Sequence, residues 1–126
     1  HYRLVVGRAA AGRGAAGSGI LLVMHRRGWN RQGRVKGKVW INGFHLYMKQ
    51  WLKAKEDYKE KTQLLIANPS WIIVSDEIGA GIVPLEKEDR EWREETGRML
   101  CQIAEQADEV YRVFCGIPTK IKGSDV

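Results

Sequence analysis

Trp71-Ile-Ile-Val-Ser-Asp-Glu-Ile-Gly-Ala-Gly-Ile-Val-Pro84 is the stretch whose reading decides the fold. A run of aromatic and β-branched residues, Trp71 to Val74, gives way at once to two carboxylates and two glycines. That is the pattern of a buried parallel strand ending in a polar loop. In open α/β sheets ligands bind beyond the carboxyl ends of the strands, so Asp76 and Glu77 are candidate catalytic residues. Gly79 and Gly81 are candidates for close backbone approach to a ligand, and Pro84 pre-sets φ for a following helix. The same composition also suits an ordinary acidic strand-to-helix turn.

Working outward toward the C-terminus, Leu85 to Ala107 reads as the clearest helix. Acids crowd its first turns, where the helix dipole favours them, and Trp92, Thr96, Met99, Leu100, Ile103, Ala104 and Ala107 form one stripe. Val110 to Cys115 reads as a last strand, and Gly116 to Gly123 as a basic tail. Toward the N-terminus, Val39 to Ile41 reads as a short strand that Asn42-Gly43 turns into a long helix, Phe44 to Ala67. Phe44, Tyr47, Met48, Trp51 and Leu52 recur at helical spacing and form a core face. His45 starts that helix, where a lone histidine is usually a structural hydrogen-bonder. Strands alternating with helices give a βαβ architecture.

The chain has 126 residues, enough for one domain that buries about two-thirds of its unfolded surface. No segment reads as a membrane span or signal peptide, and a cytoplasmic location with reduced, partly buried Cys101 and Cys115 is expected. The net charge of +6 is unevenly placed: residues 1–55 hold 12 basic and no acidic residues, and all 15 acids follow. An acid-free half can neutralise phosphates of a nucleotide or a nucleic acid.

Tyr2 to Val6 reads as a strand, followed by Gly7-Arg-Ala-Ala-Ala-Gly12-Arg13-Gly14. The spacing is that of a phosphate-binding P-loop, with Gly7, Gly12, Arg13 and Gly14 as candidate nucleotide-binding residues. Arg13 stands where the motif has lysine, and Gly14 where a hydroxyl would hold magnesium. Gly12-x-Gly14-x-x-Gly17 resembles a dinucleotide fingerprint on paper, but the strand ends too early and no acid occurs before Glu56. Ile20 to Met24 could be a strand. His25 to Lys38 reads as a basic, glycine-dotted loop, with an RNA-binding arm as its functional alternative.

Three motifs in order, Ser75-Asp-Glu-Ile-Gly-Ala-Gly-Ile-Val-Pro84, Arg93-Glu-Glu-Thr-Gly-Arg98 and Ala107-Asp-Glu-Val-Tyr-Arg-Val-Phe-Cys-Gly-Ile117, resemble the C-terminal half of the CobU/CobP family. This is the bifunctional adenosylcobinamide kinase/adenosylcobinamide-phosphate guanylyltransferase family of cobalamin biosynthesis. The resemblance implies a single P-loop NTPase domain, a RecA-like, mostly parallel sheet flanked by helices. It implies ATP or GTP with Mg2+ as cofactors, nucleotide and corrinoid substrates, a possible homo-oligomer, and no membrane or nucleic-acid partner. It also implies that Asn42 occupies the place of a magnesium-binding acid, that Arg98 is a candidate nucleotide contact, and that His25 is the candidate for the covalently guanylylated histidine.

The departures from the family cluster before residue 43. Either residues of about 8 to 37 are a frameshifted translation between sound segments, or the chain is a compact relative performing one half-reaction or none. On the first account, resequencing the coding DNA finds a P-loop with lysine and a hydroxyl in another frame. An uninterrupted frame without one removes that account.

Overall fold

The computed structural model describes residues 19–26, 38–78 and 86–123. The expected strand at Tyr2 to Val6, the P-loop from Gly7 to Gly14, most of the basic loop, and Gly79, Gly81 and Pro84 lie outside the described residues. The elements run β1 (Ile20–Arg26), β2 (Lys38–Asn42), α1 (Phe44–Lys53), α2 (Tyr58–Ile66), β3 (Ser70–Asp76), α3 (Lys87–Gln106), β4 (Glu109–Phe114) and β5 (Ile117–Lys122). The five strands form one sheet in the order β2-β3-β1-β4-β5, so the α/β class holds.

The expected mostly parallel sheet is instead mixed. Among the described residues only β2 and β3 pair in parallel, because α1 and α2 carry the chain back between them. β1 lies antiparallel between β3 and β4, pairing Ile20 with Asp76 and Val113 at one end and Arg26 with Ser70 at the other. Ser70 in turn pairs with Lys38, the first residue of β2. The end of β1 and the start of β2 therefore share a sheet edge, two strand spacings or about 10 Å apart.

Three further expectations are corrected. The stretch from Phe44 to Ala67 is two helices, broken where Lys55 takes a positive φ of 56°. Asp57 restarts the helix as its cap by accepting the Glu60 N–H at 3.1 Å. Asp57-x-x-Glu60 is a form of the capping signature, which was legible in the sequence. The basic tail is an edge strand, β5, turned back on β4 by Cys115 and Gly116, both at positive φ (52° and 75°). All of β5 is exposed, so it lacks the apolar signal of a buried strand. Its Lys122 Nζ nevertheless donates to the Ala104 and Glu105 carbonyls, each at 3.0 Å, and so caps the C-terminus of α3. Cys101 and Cys115 are free, as expected, but exposed rather than partly buried.

The core joins the helices to the sheet. Phe44 and Met48 from α1, Met99, Leu100 and Ile103 from α3, and Val23, Trp71, Ile73 and Val110 from the strands form one buried cluster. The stripe expected on α3 is thus the packed one. On α1 the face is narrower than expected, since Tyr47 is 41% exposed. Polar ties hold the helices over the strands: the Trp71 indole N–H donates to the Ile66 carbonyl at 3.2 Å. Among the described residues no helix is long and apolar enough to cross a membrane.

Tyr58 on α2 donates its hydroxyl to Glu95 on α3 at 2.7 Å. That bond to a carboxylate, with burial adding to it, pushes the Tyr58 phenol up to about 12. Its unfolded value is near 10, so the stability it contributes is complete below pH 10 and is lost as pH rises through 12. Tyr58→Phe is expected to cost about 1 kcal/mol at neutral pH. The gap should narrow above pH 10, as read by denaturant midpoints of both proteins across that range.

Candidate functional site

The site begins with strand direction. β2 and β3 run side by side, with Asn42 level with Val74, so both end at the same sheet edge. β1 starts at that edge, where the Glu77 N–H donates to the Gly19 carbonyl at 2.8 Å. β4 arrives there too, through the row Asp76, Ile20 and Val113. Asn42, Asp76, Glu77 and the end of β4 are thus brought to one edge from sequence positions more than thirty residues apart.

Gly43 makes the turn from strand to helix. Its N–H donates to the Val74 carbonyl at 2.8 Å, extending the β2–β3 ladder by one bond, while φ of 86° swings the chain into α1. A side chain there would be strained. The swing buries His45 (5% exposed) in the first turn of α1, against the end of β3.

His45 holds Asp76 at two points. The Asp76 backbone N–H donates to Nδ1 at 3.1 Å, and Nε2 lies 3.3 Å from Asp76 Oδ2. Because Nδ1 accepts, the proton of a neutral ring sits on Nε2 and faces the carboxylate. His45 is held in its turn, since the Trp92 indole N–H donates to its carbonyl at 2.7 Å. The two rings lie 6.4 Å apart, and Lys49 Nζ sits 4.8 Å from the Trp92 ring centroid. β3, α1 and α3 therefore meet at one buried imidazole, whose role is to orient the Asp76 carboxylate. The reading of His45 as a structural hydrogen-bonder agrees with this geometry.

Glu77 has different partners. Its Oε1 accepts from Arg112 Nε at 3.0 Å. Its carboxylate lies so close to Gly19 that a Cβ there would come within 2.9 Å of Oε1. The two neighbouring acids are thus held separately, Asp76 by α1 and Glu77 by β4. Among the described residues no group of three His, Cys, Asp or Glu side chains could hold a metal ion.

Other expected site residues lie elsewhere. His25 pairs with Trp71 in β1, five rungs from the row of Asp76, or roughly 17 Å along the strands. It does not join Asp76 and Glu77, because β1 enters antiparallel and carries its C-terminal end to the opposite edge. Arg98 lies on α3 six residues beyond Trp92, about 9 Å along the axis. Its guanidinium pairs with Glu94 at 2.7 Å and Glu95 at 3.2 Å on an exposed surface. Asn42, by contrast, is at the site edge and exposed. Gly7, Gly12, Arg13, Gly14, Gly79 and Gly81 lie outside the described residues.

Comparison with known proteins falls on this same region. The model of the family described as cobinamide kinase / cobinamide phosphate guanyltransferase matches residues 37–121, about two-thirds of the chain. The chain belongs to this family. The match runs from the start of β2 into β5 and contains Asn42, His45, Asp76, Glu77 and Arg112. The bifunctional adenosylcobalamin biosynthesis protein CobU of Salmonella typhimurium (strain LT2) is 43% identical over 51 residues. The protein of the same name from Escherichia coli (strain K12) has the same identity over the same length. Each alignment covers 40% of this chain and 28% of the relative.

Sequence reasoning left His45, Trp92 and Arg112 out of the site. For His45 a signal existed in its place two residues after the strand-ending Asn42-Gly43. Trp92 was read as core, and nothing along β4 distinguishes Arg112 from a solvated surface residue. His45→Ala is expected to destabilise the fold by about 2–4 kcal/mol, since it empties a buried site and removes two contacts to Asp76. Trp92→Phe should cost about 1 kcal/mol for the lost indole bond. Denaturation of both variants and the double mutant should show coupling between them of at least about 0.5 kcal/mol.

Proposed function

We propose that this chain is a nucleotide-dependent transferase of cobalamin biosynthesis, acting on adenosylcobinamide or its phosphate with ATP or GTP. The reading is supported by membership of the cobinamide kinase / cobinamide phosphate guanyltransferase family and by the names of the two relatives. The observation that carries it is that the family-matched segment delivers Asn42, Asp76 and Glu77 to one sheet edge at the carboxyl ends of β2 and β3. The aligned stretch spans 28% of each relative's length, so the activity, the substrates and the Mg2+ are part of this proposal.

In phosphoryl transfer a protein chiefly positions the reactants and neutralises charge. Asp76, fixed by His45, is suited to orient an acceptor hydroxyl and take its proton as the oxygen bonds to phosphorus and the nucleoside diphosphate leaves. Magnesium in such sites is held by one or two protein oxygens together with the substrate phosphates. The Asn42 amide oxygen fits that donor set, as does the Asp76 carboxylate as an alternative to its role as base, and the metal would supply charge neutralisation on the phosphates. A neutral amide coordinates magnesium less strongly than a carboxylate. The P-loop spacing also has Arg13 and Gly14 in place of lysine and a hydroxyl. Kinase turnover is therefore expected to be low.

Calorimetry with ATP and GTP, with and without magnesium, should show nucleotide binding. Asp76→Asn should lower any turnover by about 10²- to 10⁴-fold, with mass spectrometry scoring phosphorylated product and a guanylyl adduct on the protein. Absence of nucleotide binding sinks the proposal. Vigorous phosphorylation of adenosylcobinamide that is lost on Arg13→Ala contradicts the expected weakness of the P-loop.

A further inference from the structure

Arg112 is placed unlike an ordinary surface arginine. It projects from β4 one residue before Val113, which stands in the same row as Ile20 and Asp76, so it belongs to the edge where Asp76 and Glu77 lie. Its bridge to Glu77 spans the start of β1, and it passes there because position 19 has no side chain: a Cβ on Gly19 would meet the Glu77 carboxylate at 2.9 Å. The guanidinium carbon also lies 6.0 Å from the centroid of the Phe114 ring. Two contacts thus restrain the side chain, although half of it remains exposed.

The bond to Glu77 uses Nε alone. Among the described residues, Nη1 and Nη2 make no hydrogen bond to protein, which leaves both ends of the planar fork uncommitted. Such a fork binds phosphate oxygens bidentately, and holding it in place beforehand lowers the entropy lost on binding. The edge also needs a cation, since the carboxylates of Asp76 and Glu77 would otherwise repel an anionic substrate.

We propose that Arg112 is a phosphate-binding residue of this edge, held for that task by Glu77, which thereby acts as a positioning residue. The inference rests on the reading of the edge as a phosphate-handling site. The phosphate belongs either to the nucleotide or to the phosphorylated corrinoid, and in both cases the recognised group is a phosphate oxyanion.

The test is calorimetry of the whole chain with inorganic triphosphate, GTP and a simple alkyl phosphate monoester. It compares the unaltered protein with Arg112→Ala and Arg112→Lys. Arg112→Ala should weaken binding by about 10- to 100-fold, the scale of lost hydrogen bonds to a charged group. A fall confined to triphosphate and GTP assigns the site to the nucleotide, and a fall confined to the monoester assigns it to the phosphorylated substrate; either supports the proposal. Arg112→Lys should recover only part of the loss, because an ammonium cannot reproduce the fork. Unfolding midpoints should stay within a few degrees, as an exposed ion pair contributes little to stability. Undiminished binding by Arg112→Ala, or full recovery by Arg112→Lys, overturns the role of Arg112 while leaving the proposed transferase function standing. If the unaltered protein binds none of the three ligands, both fall together.

Discussion

The contact on which the arrangement depends is the one between the His45 imidazole and the last residue of β3. A buried histidine costs free energy unless its nitrogens are satisfied, and here one residue, Asp76, meets both of them. Because the Asp76 main chain occupies Nδ1 and its carboxylate faces Nε2, the imidazole couples the backbone course of β3 to the direction of its terminal acid. Trp92 extends the coupling to α3 through the His45 carbonyl. A carboxylate at a strand end would otherwise be free to rotate toward water. Here its orientation is a consequence of how three elements pack.

That contact exists only because β2 and β3 are parallel and adjacent. α1 leaves β2 through Gly43, and its first turn comes to rest beside the end of the next strand. The remaining strands contribute differently. β1, placed antiparallel, puts its N-terminal end at the edge, so the glycine that precedes it becomes the floor beneath Glu77. β4 brings Arg112 to the other side of that floor. The two neighbouring acids at the end of β3 consequently lie in separate settings, Asp76 against a buried imidazole and Glu77 against a half-exposed guanidinium.

Family membership and the geometry concern the same residues. The matched segment begins just before β2 and leaves out residues 1–36. The phosphate-cradling loop expected there lies outside the described residues, so the chemistry assigned to the edge stands on Asn42, Asp76, Glu77 and their partners. Arg98 illustrates the same division. It lies in a motif resembling the family's, yet its neighbours are Glu94 and Glu95 on a solvated helix face, where such pairs contribute little.

The sequence by itself determined the elements whose signal is local. The apolar run at Trp71 to Val74, the stripe of α3 and the turn at Asn42-Gly43 each arise from periodicity or backbone preference within a few residues. The ending of β3 in Asp76 and Glu77 was legible for the same reason, as was the family. Tertiary structure alone decided the rest. The direction of β1 emerges only from its antiparallel pairing with β3 and β4, and that removed His25 from the company of Asp76. β5 is a strand through pairing with β4, since its exposed side chains carry no apolar pattern. The roles of His45 and Arg112 come from partners 31 and 35 residues away in the chain. No local pattern encodes such distances, because side-chain partners across a sheet are chosen by strand order and register.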